Sequence, residues 1–233
     1  LRGTAGRRST WLRQSSAWAD AVRALLWKEI TGEIRARQSL GLVLTFALSA
    51  TVLAARASLT LAGDPDASAA VLTLILFFAS VVGLARLFLG EEEQGTSGWL
   101  RLLADPVHVF VAKVIYGTAL AGLICLLTVP AYLVLCGLAV SPGLAVLVCG
   151  AASFSLASAV TLCAALAARV RSGDAMVAVL ALPLAIPVLW TTAGGLAGAL
   201  SNVPVLTHVA FLVSYGVLMV TSGVALFPFL WEG

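Results

Sequence analysis

The sequence predicts an all-α polytopic membrane protein with six transmembrane helices. An interfacial amphipathic helix precedes the spans, and a short helix-break-helix element lies at the cytoplasmic surface between spans two and three. Three observations carry this. Of 233 residues, 61% are hydrophobic and 11% charged, where a soluble domain carries about 25% charged residues. The apolar runs suit helices of about 20 residues, not barrel strands of about 10. Finally, Lys and Arg gather in alternate segments between those runs.

Eight of the fourteen Lys/Arg lie in the first 37 residues. Residues 1–17, with Arg2, Arg7, Arg8, Arg13, Ser9, Ser15 and Ser16, read as a basic cytoplasmic tail, with an organellar transit peptide as the alternative. No apolar run precedes residue 37, so a cleaved secretory signal is not expected in these residues. Residues 18–37 form the amphipathic helix: Trp18, Val22, Leu25, Leu26, Ile30 and Ile34 recur at helical spacing. Asp20, Arg23, Lys28, Glu33, Arg35 and Arg37 fall mostly elsewhere, which suits a helix in the membrane interface. A cytosolic helix against a partner is the alternative.

Residues 38–233 form the six-span domain. The first span covers 40–61 and holds Arg56 near its far end, where the side chain is expected to snorkel to the headgroups, with a substrate or lipid-anion contact as the alternative. Gly63-Asp-Pro-Asp-Ala-Ser68 makes a tight acidic turn, and the second span runs over 69–89. From Val114 to Ala168 no residue is charged, more than twice what one crossing needs. The run therefore folds back near Gly137-Leu-Ala-Val-Ser-Pro-Gly143, giving spans at 114–136 and 144–168. After the polar loop Arg169-Val-Arg-Ser-Gly-Asp174, a second charge-free run breaks near Ser201-Asn-Val-Pro204, giving spans at 175–199 and 205–230. Pro183 and Pro187 should kink span five. Gly194 and Gly198 mark where another helix approaches it closely.

Six spans put both termini on one side. Thirteen of the fourteen Lys/Arg then share that side, all but Arg56, so both termini are expected in the cytoplasm. The four cysteines lie in apolar runs without metal-type spacing and read as reduced small hydrophobes; Cys136 and Cys149 flank one outer turn, where a disulfide is the alternative.

Absences narrow the chemistry. No G-x-x-x-x-G-K-[ST], H-E-x-x-H or C-x-x-C-H occurs, so no catalytic residue and no metal site is assigned. His108 and His208 are the only histidines and read first as interfacial side chains. Every acid lies at a loop, a span end or the tail, which disfavours a proton-driven pump. Energy for any transport should then come from a partner.

The longest interior polar stretch is Arg86 to Lys113. Glu91, Glu92 and Glu93 are expected to open a short helix, where acids suit the macrodipole. Trp99, Leu100, Leu102 and Leu103 supply one apolar face, which fits a groove in a partner or, equally, a loop with Trp99 in the headgroups. Asp105 and Pro106 read as an N-cap followed by Pro at the first helical turn, starting the run into span three.

These residues resemble a known family. Glu91-Glu-Glu-Gln-Gly-Thr96 with Leu100, Leu102, Leu103, Pro106 and Lys113 is similar to the E-x-x-x-G-[ST]…L-L…P…K pattern of ABC-2-type exporter membrane subunits. Trp27-Lys-Glu-Ile-Thr-Gly-Glu-Ile-Arg-Ala-Arg-Gln-Ser-Leu40, Arg86-Leu-Phe88 and Leu182-Pro-Leu-Ala-Ile-Pro-Val-Leu189 resemble segments of the heme exporter protein B family, in the same order. Ala85 and Gly98 stand where that family often carries acids.

The resemblance implies the permease subunit of the cytochrome c maturation ABC transporter, in the bacterial inner membrane, a mitochondrial inner membrane being the alternative. It implies a separate ATPase subunit (a dimer) that binds ATP and Mg. It also implies a multi-span haem-handling partner, a small single-span subunit and, through the complex, a periplasmic haem chaperone. Membrane lipids are the other partners; nucleic acid is not one. Haem is handled by the complex and not held tightly by this chain, with His208 as a minor candidate for touching a haem-bearing partner. Carried over by position, Glu91, Glu92, Glu93, Gly95, Trp99, Leu100, Leu103 and Pro106 belong to a cytoplasmic coupling helix docking on the ATPase, with Arg86 and Lys113 at the flanking helix ends. Two other readings stay open: an ABC-2-type exporter subunit for another amphiphile, lipid or drug, and a non-transporting assembly scaffold.

Overall fold

Capping chemistry sets where several helices begin. In the computed structural model, which describes residues 18–32, 38–58, 64–93, 105–167 and 174–232, seven helices and no strand occur among the described residues. They are α1 (18–32), α2 (Gln38–Ser58), α3 (Pro65–Glu93), α4 (Pro106–Cys136), α5 (Pro142–Ala167), α6 (Asp174–Leu200) and α7 (Leu206–Glu232). Six of them, α2 to α7, are long and apolar enough to cross a membrane. In lipid a backbone satisfies its own polar groups most simply as a helix, which is why such runs do not stay irregular.

Three helices start with a short polar residue followed by proline: Asp64–Pro65, Asp105–Pro106 and Ser141–Pro142. Asp66 and Ala67 N–H groups donate to Asp64 Oδ1 at 3.0 and 3.4 Å. Val107 N–H donates to Asp105 Oδ1 at 2.9 Å. Each carboxylate accepts from donors the first turn cannot otherwise use, while proline loses nothing there. The first of these caps shifts an expected boundary: the second span begins at Pro65 rather than 69, so Asp66 to Ser68 are helical and not part of a turn. The helix that carries the third span begins at Pro106, as the Asp105–Pro106 pair implied.

The ends of α4 and α6 fold back as anticipated from their turn residues. Gly137 closes α4 at φ 65°, a left-handed position with no side-chain penalty for glycine, and Leu138 N–H donates to Leu133 O at 3.0 Å. Asn202 takes the equivalent left-handed conformation after α6, at φ 55°. Pro183 and Pro187 both lie inside α6. Their missing N–H groups deprive the carbonyls of Val179 and Pro183 of the usual helical donors. In the same turn, Tyr215 O–H of α7 donates to Leu184 O at 2.7 Å, tying α7 to α6.

Contacts show that successive spans alternate in direction. At one end, Phe110 near the start of α4 meets Phe227 near the end of α7, ring centroids 5.4 Å apart. Lys113 of α4 meets Glu29 of α1 at the same end. At the other end, Ser141 N–H before α5 donates to Ala199 O of α6 at 3.2 Å. Cys136 Sγ lies 3.9 Å from Ala55 O, joining the ends of α4 and α2. The first end, with α1 and the close of α7, is the charged end below; the second is the far end.

The core sits around α5. Within its apolar window 72% of residues are buried, against 22% for α2 and for α7, so α5 is the central span and those two are peripheral. Its run Ala151, Ala152, Ser153, Ser155, Ala157, Ser158 and Ala159 shows why. Small side chains let helices approach closely where lipid supplies no hydrophobic drive between them. Side-chain hydroxyls are absorbed locally: Thr51, Thr73, Thr118, Thr128, Ser158 and Thr191 each donate to the carbonyl four residues back.

Candidate functional site

The charged end is where polar side chains are buried rather than solvated. Lys113, the eighth residue of α4, has an accessible surface of 0%. Its Nζ donates to Glu29 Oε1 of α1 at 3.4 Å. The Glu29 side chain is 17% exposed, and Lys28 Nζ approaches the same oxygen at 3.7 Å. A buried ammonium without a counter-charge costs several kcal/mol on the order of magnitude that applies to buried ions. The pair therefore binds α1 to the bundle through a contact that spans 84 positions of sequence.

The amphipathic helix has the face needed to present that carboxylate. Val22 is buried, and Leu25 and Leu26 pack against the core, one to two turns before Glu29. Trp18, at the start of the helix, lies 5.8 Å from the His108 ring. His108 Nδ1 in turn lies 3.5 Å from Asp105 Oδ1, the cap of α4. Trp27 and Ile30 point away from the bundle and are exposed. So the inner face of α1 runs against the first turns of α4, while a second apolar side stays outward.

The two helices flanking the polar stretch are the longest among the described residues. At 1.5 Å per residue, the 29 residues of α3 span about 43 Å and the 31 of α4 about 46 Å, against a hydrocarbon core of about 30 Å.

This geometry corrects two expectations. Glu91, Glu92 and Glu93 do not open a new helix; their backbone forms the last residues of α3. Acids near a helix C-terminus oppose the macrodipole by about 0.3–1 kcal/mol each. Extending a helix already nucleated by a membrane span is favourable, and Glu is a good helix former, so the helix runs on. Lys113 is not at a helix end, because the Asp105 cap starts α4 a full two turns earlier. The backbone of Arg86 lies within α3, and Pro106 takes the first helical position of α4 as expected. Gly95, Trp99, Leu100 and Leu103 lie outside the described residues.

Two residues escaped the sequence reading. Glu29 was legible in principle, since it shares a helical face with Val22 and Leu25, and an acid on an apolar face calls for a buried partner. Thr192 carried no such signal among many hydroxyl-bearing residues in the spans. At the far end, His208 packs on α6, its Nε2 2.9 Å from where a Cβ on Gly194 would lie, and Val205 sits similarly over Gly198. Among the described residues no three His, Cys, Asp or Glu side chains come together as metal ligands.

A body that is all-helical among the described residues, with six membrane-length spans, defines a multi-pass membrane protein. The family model described as CcmB protein matches residues 20–231, nearly the whole chain. The chain belongs to this family, heme exporter protein B, and so is a membrane subunit of a haem-exporting ABC transporter in cytochrome c biogenesis. No curated protein matches it.

Proposed function

We propose that this chain transmits the work of ATP hydrolysis, performed by a separate ATPase dimer holding ATP and Mg, to a membrane complex that exports haem or releases a haem-loaded chaperone. The setting is the bacterial inner membrane with both chain termini in the cytoplasm, following the bias of Lys and Arg to the charged end. The partners are the ATPase, a multi-span haem-handling protein, a small single-span subunit and, through the complex, a periplasmic haem chaperone. Haem is cargo of the complex, not a resident group of this chain.

The observation that carries this reading is the pair of overlong helices. α3 and α4, at 29 and 31 residues, are each longer than the hydrocarbon core is thick, and the residues that join them, 94–104, hold the polar segment with Trp99, Leu100 and Leu103. A partner gripping that segment pulls on two spans at once. α1, held to α4 through Glu29 and Lys113, moves with them. Glu91 to Glu93 bring negative charge close to the same place.

The test has two arms. Deleting the gene should abolish covalent haem staining of c-type cytochromes, with no rescue by added haem and full rescue by this chain. Trp99→Asp and Leu103→Asp should each prevent co-purification of the ATPase while the chain still reaches the membrane. Normal cytochrome c in the deletion strain removes the haem role. Intact ATPase binding by both Asp variants removes the docking role alone.

A further inference from the structure

Four spans meet around a small, mostly apolar cavity in the middle of the bundle, which a few polar side chains also line. Its polar lining is Thr73 and Ser80 of α3, Cys125 of α4, Ser153 of α5 and Thr192 of α6, and its volume is about 20 Å³. Ser153 lies at the centre of the α5 window Pro142–Ala167, and Thr73 and Ser80 within the window Pro65–Leu84, so the cavity is at mid-membrane depth.

Thr192 brings an unpaired hydroxyl to this cavity, whereas the unpaired buried hydroxyls of Ser155 and Thr161 lie outside it. Thr192 is 4% exposed, and among the described residues no group lies within hydrogen-bonding distance of its Oγ1. Its neighbour Thr191 donates to Pro187 O at 2.8 Å, as five other span hydroxyls donate to carbonyls four residues back. Thr192 departs from that pattern and lines the cavity. Leaving a buried hydroxyl unsatisfied costs about 1–3 kcal/mol. Ser153 Oγ reaches only the weak acceptor Cys125 Sγ, at 3.7 Å, and so keeps capacity for a better partner.

We infer that this cavity is a binding site for a single water molecule, anchored by Thr192 and shared with Ser153 and Ser80. The volume suits one water, and the lining offers the two to four polar partners that a buried water requires. The water joins α3, α5 and α6 by hydrogen bonds that can be exchanged without exposing a polar group to lipid. It thereby supplies a polar contact between spans that otherwise meet through apolar and small side chains.

Radiolytic hydroxyl-radical footprinting tests this on the full chain in nanodiscs, because radicals formed from a bound water oxidise the side chains beside it. Cys125 and Phe77 line the cavity, whereas Cys163 and Phe110, also buried, do not. Oxidation of Cys125 and Phe77 should exceed that of Cys163 and Phe110 at least fivefold. Thr192→Val should lower the cavity pair to the level of the other two. Thr191→Val, which alters a hydroxyl already satisfied, should leave all four rates unchanged. Equal oxidation of both pairs in the unaltered protein overturns the site, and this comparison needs no variant to fold. Undiminished oxidation of Cys125 and Phe77 in Thr192→Val overturns the anchoring by Thr192.

Discussion

The two ends of the bundle are held together by different physics. At the far end the chain turns sharply, through Gly137 and Asn202, and the spans close through backbone bonds and small residues. Ser141 N–H to Ala199 O and Val148 against Gly195 are contacts of that type. The charged end instead contains Lys113, a wholly buried cation, satisfied by a helix outside the six spans. A contact of packed backbone resists movement because steric repulsion rises steeply when small residues are pressed together. An ion pair between separate elements can translate as a unit, and it breaks expensively if one member is lost. The far end is thus built as a clamp, and the charged end as a joint.

The largest test of that contrast is at the joint. Glu29→Leu should destabilise the protein by about 3 kcal/mol, since it leaves the Lys113 ammonium buried with a partner removed. Adding Lys113→Met should recover most of the loss, as an apolar side chain of similar length tolerates the site. Thermal unfolding of the solubilised chain, followed by a thiol-reactive dye on the buried cysteines, measures both. Losses that simply add would show that the two residues act separately and that no joint exists.

The next test is at the clamp. A Cβ on Gly195 would lie 3.0 Å from Val148 Cγ1, and Val148 is wholly buried. Overpacking by Gly195→Ala, at about 1–3 kcal/mol, should outweigh the gain of about 1 kcal/mol in helix propensity and leave a net cost of about 1 kcal/mol. A Cβ on Gly194 meets only the tip of His208, which can rotate away, and alanine gains about 1 kcal/mol in helix propensity. Gly194→Ala should be neutral within about 0.5 kcal/mol by the same assay. Equal costs at the two glycines would mean that the packing is looser than a clamp requires.

The smallest effect is expected at the Asp105 cap. Asp105→Ala removes the acceptor for Val107 N–H and should cost about 1 kcal/mol. Asp105→Asn or Asp105→Ser should restore most of it, because capping needs an oxygen and not a charge. If neither rescues, the contact with His108 matters more than the cap, and the joint extends to the start of α4.

How much was legible varied with the physics behind each feature. The far-end turns were readable because glycine, proline and asparagine interrupt charge-free runs, and nothing else in those runs can turn the chain. The start of α4 was readable from the Asp105–Pro106 pair, whereas the start of α3 was misplaced because Asp64–Pro65 was read as part of a turn. Glu91 to Glu93 were read by local electrostatics, a weak term beside continuation of a long helix. Of the residues placed in the coupling element, Pro106 stands at the start of α4 as its neighbour Asp105 implied, while Trp99, Leu100, Leu103 and Gly95 lie outside the described residues.

By itself, the sequence determined the class, the number of spans and the family, because hydropathy over 20 residues and a capped turn are local properties. Only the tertiary structure decided that Lys113 is buried, that Glu29 is its partner, that α5 is the central span, and that Thr192 faces a cavity. Each depends on which faces of distant helices meet. In a membrane, where nearly every face is apolar, periodicity carries little information about those meetings, and small residues and buried polar groups settle them.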